Sequence, residues 1–136
     1  MTALVDTGVL LAAISENDAL HEICALPLDE ESEILLPEVV LPELAYLLVR
    51  DVGYGPLVGF LRAVAAGDLP VVSLTSADME RAAELVEKYA DAHIDFVDCA
   101  VVALAERLNI TRVLTIDRRH FSLFRPRHCE MFEIVP

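Results

Sequence analysis

Cysteine, lysine and long apolar runs are all scarce in this sequence, and each scarcity removes a class of protein. Only three cysteines occur, Cys24, Cys99 and Cys129, an odd number with no Cys-x-x-Cys pair. That argues against a disulfide framework and reads as buried free thiols in a reducing cytoplasm. Histidine and cysteine show no metal-ligand spacing, which sets zinc aside. A membrane-spanning helix needs roughly 20 apolar residues in succession. Here Asp6, Glu43 and Asp98 cut the richest apolar stretches well short of that. The first residues, Met1-Thr2-Ala3-Leu4-Val5-Asp6, run straight into a strand-like segment with no basic lead-in, so no secretory signal is expected. A cytoplasmic chain with no membrane association is the resulting expectation. No internal repeat, low-complexity tract or linker divides it.

Positive charge is also short. Lys88 is the single lysine, and 10 Lys and Arg stand against 23 Asp and Glu, a net charge of −13. Taken alone this opposes nucleic-acid binding, which is driven by neutralising phosphates. The distribution softens the objection, because Arg107, Arg112, Arg118, Arg119, Arg125 and Arg127 lie near the C-terminal end, with His120 and His128 among them. They form either a local basic patch on an acidic body or scattered solvated charges.

What is present points to one folded domain over residues 1–136. The length allows a sizeable core, and 55% hydrophobic residues with 5 Gly and 7 Pro exclude a disordered chain. Short β-type runs alternate with helical ones. Strands are predicted at Ala3–Val5, Glu33–Leu36, Val71–Leu74, Arg112–Ile116 and Phe132–Val135. A helix is predicted from Thr7 to about Ile14. A second is capped by Asn17 or Asp18 and runs to about Leu26, with Pro27 at its end. Pro37 to Asp51 reads as a helix with Pro42 in its first turn or kinking it, ended by Gly53. Pro56–Ala66 reads as another, stopped by Gly67. Thr75 or Ser76 caps a helix to about Asp91, with Met79, Ala82, Ala83, Val86 and Tyr89 as its apolar face. Phe96–Leu108 is almost wholly apolar and should be central, with Asn109 at its C-cap. This alternation implies an α/β sandwich, a mainly parallel sheet with helices on both faces. Ligand sites in such sheets lie beyond the carboxyl ends of the strands.

Four carboxylates interrupt the apolar runs. Asp6 follows the first strand and Asp117 follows Val113-Leu114-Thr115-Ile116, so both belong at that edge. Glu43 and Asp98 fall in early turns of helices that begin on the same side. A buried carboxylate without a partner costs several kcal/mol. No Lys or Arg lies one helical turn from Asp6, Glu43 or Asp98. A hard divalent cation with oxygen ligands would compensate, and without it some of these acids would have raised pKa values. Each acid also has an ordinary explanation. Asp6 can cap the helix at Thr7, Asp95 and Asp98 have capping-box spacing, Asp117 can form an Asx turn, and Glu43 can meet a helix dipole. Four together in one α/β chain favour a metal site.

The pattern resembles the PIN-domain family, in its VapC-like toxin branch from bacteria and archaea. The matching segments are Val5-Asp6-Thr7-Gly8, Leu41-Pro42-Glu43-Leu44-Ala45-Tyr46-Leu47-Leu48, Asp95-Phe96-Val97-Asp98-Cys99-Ala100 and Leu114-Thr115-Ile116-Asp117-Arg118-Arg119-His120-Phe121. Their order and spacing span essentially the whole chain. The resemblance implies a three-layer PIN-like sandwich and an acidic pocket for Mg²⁺ or Mn²⁺. It implies endonucleolytic cleavage of RNA by a metal-activated water, in the toxin of a type II toxin–antitoxin pair. Asp6, Glu43, Asp98 and Asp117 are then the catalytic and metal-binding acids, with Asp95, Thr115 and Thr7 in support. Arg118, Arg119 and His120 are candidates for holding the RNA. The implied partners are an RNA substrate, a cognate antitoxin and a second copy of the chain. Leu57, Phe60 and Leu61 would serve a homodimer or the antitoxin groove, or else ordinary core.

Two rivals stand beside this reading. A PIN fold that has lost activity would act only in assembly, although all four acids are present. A receiver-like Mg²⁺-binding signalling domain would need an acid pair at the first strand and a late lysine. Asp6 has no neighbouring acid, and Lys88 lies in a helix.

Overall fold

The computed structural model describes residues 1–136. Five strands form one sheet: β1 (Thr2–Val5), β2 (Glu33–Pro37), β3 (Val71–Val72), β4 (Arg112–Leu114) and β5 (Glu133–Val135). All pairings are parallel and the order is β3-β2-β1-β4-β5. Seven helices connect them: α1 (Thr7–Ile14), α2 (His21–Glu30), α3 (Leu41–Asp51), α4 (Tyr54–Ala65), α5 (Ser76–Lys88), α6 (Phe96–Leu108) and α7 (Arg118–Leu123).

The strand order dictates the layers. The connections β1 to β2 and β2 to β3 step to one side of the sheet, while β3 to β4 and β4 to β5 step to the other. Parallel crossovers are right-handed in nearly all proteins, so α1–α4 cover one face and α5–α7 the opposite one. The helix packing agrees: α1 lies on α2 and α3, α3 lies on α4, and α5 lies along α6. Covering on both faces is why central β1 shows no polar alternation, Ala3, Leu4 and Val5 all being fully buried. The direction of winding reverses between β1 and β4, so their carboxyl ends border the crevice where such folds place ligands.

Most helix limits follow local chemistry. Asp6 caps α1, Thr75 and Asp78 form a capping box on α5, and Asp95 caps α6. Asn109 ends α6 in the left-handed region at φ 54°. Gly53 and Gly67 flank α4 at φ 122° and 86°, where a side chain would be strained. No helix is long and apolar enough to cross a membrane.

Several expectations need correction. Helix α2 begins at His21 without a side-chain cap, because Asp18 instead accepts the Leu20 N–H in a local turn. Pro27 does not end α2; it is buried inside the helix, which continues to Glu30. Burial of the ring there outweighs one lost backbone hydrogen bond. Pro37 belongs to β2, and a 3-10 turn at Glu38–Val40 precedes α3, so that Pro42 sits in the first turn of α3. Helix α5 stops at Lys88, with a 3-10 turn at Ala90–Ala92 beyond it, and its buried row is Asp78, Ala82 and Leu85. Met79, Ala83 and Val86 face solvent. The row is headed by an acid because Asp78 accepts from Arg107 Nε at 2.9 Å while closing the capping box. The segment after Asp117, read as a turn, is the short helix α7.

Leu4→Ala should destabilise the chain by about 2–5 kcal/mol, the usual cost of a cavity in a packed core. Leu61→Ala, on exposed α4, should fall within about 0.5 kcal/mol of wild type. Urea unfolding of both isolated variants checks this. Similar losses in the two would contradict the burial assigned to β1.

Candidate metal centre at the carboxyl edge of the sheet

Hydrogen bonds to the end of β4 fix Asp6. Its backbone N–H donates to Leu114 O at 2.9 Å, extending the ladder one residue past the strand. Asp6 Oδ1 accepts from Thr7 N at 2.8 Å. Thr115, fully buried, donates its hydroxyl to Asp6 Oδ2 at 2.9 Å and accepts from Asp117 N at 3.0 Å. One hydroxyl thus ties the two strand-end acids together. Gly8 lets α1 approach this corner, since a Cβ there would lie 2.8 Å from Ile116 Cγ1.

Asp117 turns the chain into α7 by accepting from His120 N at 3.1 Å through Oδ1. That single turn carries the His120 ring back over the crevice. Its Nδ1 lies 2.9 Å from Asp117 Oδ2 and 3.3 Å from Asp98 Oδ2. Asp98 is buried in the first turn of α6, its backbone N–H donating to Asp95 Oδ1 at 2.9 Å. Glu43 stands in the first turn of α3, exposed at the rim.

The electrostatics place these acids in one field. Burial pushes the Asp98 carboxyl up to about 8, helped by the charges of Asp95, Asp6, Asp117 and Glu43. Desolvation also raises Glu43, with Asp6 and Asp95 adding to it. Burial raises Asp6 against the opposing hydrogen bonds from Thr7 N and Thr115, and Asp117 and Asp95 push the same way as burial. Two polar atoms here are buried without a hydrogen-bond partner, Thr7 Oγ1 and His120 Nδ1. The Thr7 hydroxyl is close enough to Glu43 to lower its pKa without forming a hydrogen bond to it. Oxygen donors with unrelieved negative charge, beside unsatisfied polar atoms, fit a hard divalent cation.

The structure therefore brings together Asp6, Glu43, Asp95, Asp98 and Asp117, with Thr7 and Thr115 among them. It does not gather the C-terminal arginines into a patch. Arg107 is taken by Asp78, Arg112 by Glu31 at 2.8 Å, and Arg127 by Glu84 at 3.0 Å. Arg125 donates to the carbonyls of Ser122 and Phe124, and Arg118 to those of Ile134 and Pro136. Arg119 is exposed beside the site and pairs with no acid. His120 belongs with the acids rather than with these arginines. Its i, i+3 spacing from Asp117 was the available signal, readable only once the segment is known to be helical.

Residues 3–125 match the PIN domain family. The chain belongs to the PIN-domain family. It is 34% identical over 134 residues to Ribonuclease VapC26 of Mycobacterium tuberculosis, covering 98% of this chain and 99% of that protein. Its fold resembles that of VapC20 from Mycobacterium tuberculosis, described as a sarcin-ricin loop cleaving toxin, at a TM-score of 0.76. That match has 22% identity and covers 82% of this chain and 86% of the other. VapBC2 from Rickettsia felis, bound to a promoter DNA fragment, matches at a TM-score of 0.69 and 18% identity over 100% of both chains. A toxin–antitoxin complex from Klebsiella pneumoniae matches at 0.69 and 16% identity, covering 88% and 90%. The PIN fold's β3-β2-β1-β4-β5 order also sets the receiver alternative aside, since receivers use order 2-1-3-4-5.

Of the raised acids in this PIN domain, Asp98 is shifted far enough to leave a mark on the pH dependence of the metal-free chain. Its folded pKa of about 8 exceeds the ordinary 3.8, so between these values the folded chain holds a proton that the unfolded chain has lost. The contribution of Asp98 to stability should be greatest near pH 4 and fall as pH rises to about 8. Asp98→Asn should remove most of that fall and be the more stable protein at pH 8. Chemical unfolding in chelator across this range checks it. Equal slopes for the two proteins would contradict the assignment.

Proposed function

We propose that this chain is a divalent-metal-dependent endoribonuclease, the toxin of a toxin–antitoxin pair, acting in the cytoplasm. The observation that carries the reading is the convergence of Asp6, Glu43, Asp98 and Asp117 beyond β1 and β4, in a chain alike over nearly its whole length to a protein named a ribonuclease. Asp6, Asp98 and Asp117 would hold Mg²⁺ or Mn²⁺, with Glu43 at the rim. When bound, the ion supplies a polarised water and offsets charge on the phosphate under attack. Thr115 keeps Asp6 and Asp117 in register, and Asp95 holds the first turn of α6 that carries Asp98. Glu43, its carboxyl raised by burial and by Asp6 and Asp95, would complete the set of acids around the ion. Arg119 is the side chain free to hold an RNA phosphate.

Antitoxin binding rests on two features. A charge of −13 attracts a basic segment and speeds encounter. Helix α4 has no buried residue at all, and Tyr54, Val58 and Leu61 on it, like Ile23 and Leu26 on α2, are exposed. Leu57 and Phe60 are only half-buried. A partner covering α2 and α4 would complete these helices. Structures alike in fold come from toxin–antitoxin complexes. A second copy of the chain is the other occupant such a face accepts.

Expression of the wild type should arrest growth, and co-expression of its antitoxin should restore it through a stable complex. Asp98→Asn should fold yet lose RNA cleavage by more than the roughly 10–100-fold typical of disturbing a ligand's support. Thr115→Val should fall within that range. Growth arrest and cleavage together check the reading. Undiminished metal-dependent cleavage by Asp98→Asn would sink the site, and an active but harmless enzyme without a partner would sink the toxin role. A folded wild type without cleavage would instead leave the silent assembly module.

A further inference from the structure

We propose that His120 is itself a ligand of the cation, binding through Nδ1 beside Asp98 and Asp117, and that it biases the centre toward Mn²⁺ over Mg²⁺. The proposal rests on the reading of this crevice as a metal centre and adds a nitrogen donor to an otherwise all-oxygen set.

Three observations carry it. Ligand atoms of Asp98, Asp117 and His120 all lie within 4.8 Å of one another. Neighbouring ligands around an octahedral ion with bonds near 2.1 Å stand about 3.0 Å apart. The His120 Nδ1 separations of 2.9 Å from Asp117 Oδ2 and 3.3 Å from Asp98 Oδ2 match that edge. The same nitrogen is buried and makes no hydrogen bond to either carboxylate, for all its closeness. A donor atom so near two acid oxygens, yet off the line of a hydrogen bond, is placed to share an ion with them.

The ring is also held in position. Asp117 Oδ1 accepts from the His120 backbone N–H, which fixes the start of α7. The next residue, Phe121, is fully buried and packs its ring 5.6 Å from Phe124 and 6.2 Å from Phe132. This aromatic cluster anchors the helix, so His120 meets the crevice at small further entropic cost. Mg²⁺ favours oxygen ligands and near-ideal octahedra. Mn²⁺ is a softer ion than Mg²⁺ and less strict about oxygen ligands, so an imidazole donor helps Mn²⁺ more than Mg²⁺.

The test uses the full chain, stripped of metal and loaded with Mn²⁺, and reads the ion by pulsed electron paramagnetic resonance. Nitrogen-14 coupling should appear in the wild type and change to the nitrogen-15 pattern in protein labelled only at histidine. His120→Gln should still bind Mn²⁺ but lose the coupling, with His120→Ala as the second variant should Gln fail to fold. The preference for Mn²⁺ over Mg²⁺ in competition calorimetry should drop on the order of tenfold. Bound Mn²⁺ without nitrogen coupling in the wild type would overturn the ligand role while leaving the acidic centre standing. Coupling that survives in a folded variant would overturn it in favour of another histidine. Failure of the wild type to bind Mn²⁺ at all would overturn both the ligand and the centre.

Discussion

Asp98 is buried in the field of four other carboxylates, and the surrounding architecture is arranged so that the fold survives their repulsion. Helices α1, α3, α6 and α7 all begin at this edge of the sheet, and each presents a partly positive N-terminus to it. Backbone N–H groups of Thr7, Asp98 and His120 donate to Asp6, Asp95 and Asp117 in turn. Thr115 contributes one more donor to Asp6. These donors are not enough. Asp6, Glu43 and Asp98 all remain raised, so the crevice favours whatever relieves their charge, a proton on Asp98 in the metal-free chain or, on the proposed reading, a divalent cation.

Capping and metal binding are not competing explanations here. Asp117 uses Oδ1 to cap α7 and turns Oδ2 toward His120. Asp6 likewise spends Oδ1 on Thr7 N and Oδ2 on Thr115. Each cap fixes the direction of a carboxylate, and a fixed carboxylate is a better ligand than a free one. Gly8 and Thr115 have the same logic. The glycine permits close approach of α1 to the chain beyond β4, and the threonine sets the distance between the two acids.

Much of this was legible in the sequence because it is written in local chemistry. Asp6 before Thr7, Thr75 before Ser76, and Asp95 with Asn109 mark helix ends at their observed places. Strand ends followed by Asp6 and Asp117 locate the crevice, since a parallel sheet with helices on both faces binds at that edge. What escaped depends on tertiary partners. Pro27 stays helical because its ring is buried. The buried row of α5 starts with Asp78, an acid made tolerable by Arg107 from another helix. Six residues are too few for α7 to show a period, and with that helix unseen, His120 could not be placed over the acids. The arginines clustered in sequence but were dispersed by Asp78, Glu31 and Glu84.

The central claim is that a divalent cation replaces a proton among converging carboxylates. Metal binding should then release that proton. Calorimetric titration of Mn²⁺ or Mg²⁺ at pH 7, repeated in buffers of different ionisation enthalpy, counts the protons directly. The account requires proton release on binding at pH 7 that shrinks as pH rises past about 8, where Asp98 is already ionised. Tight binding with no proton released at pH 7 would contradict it.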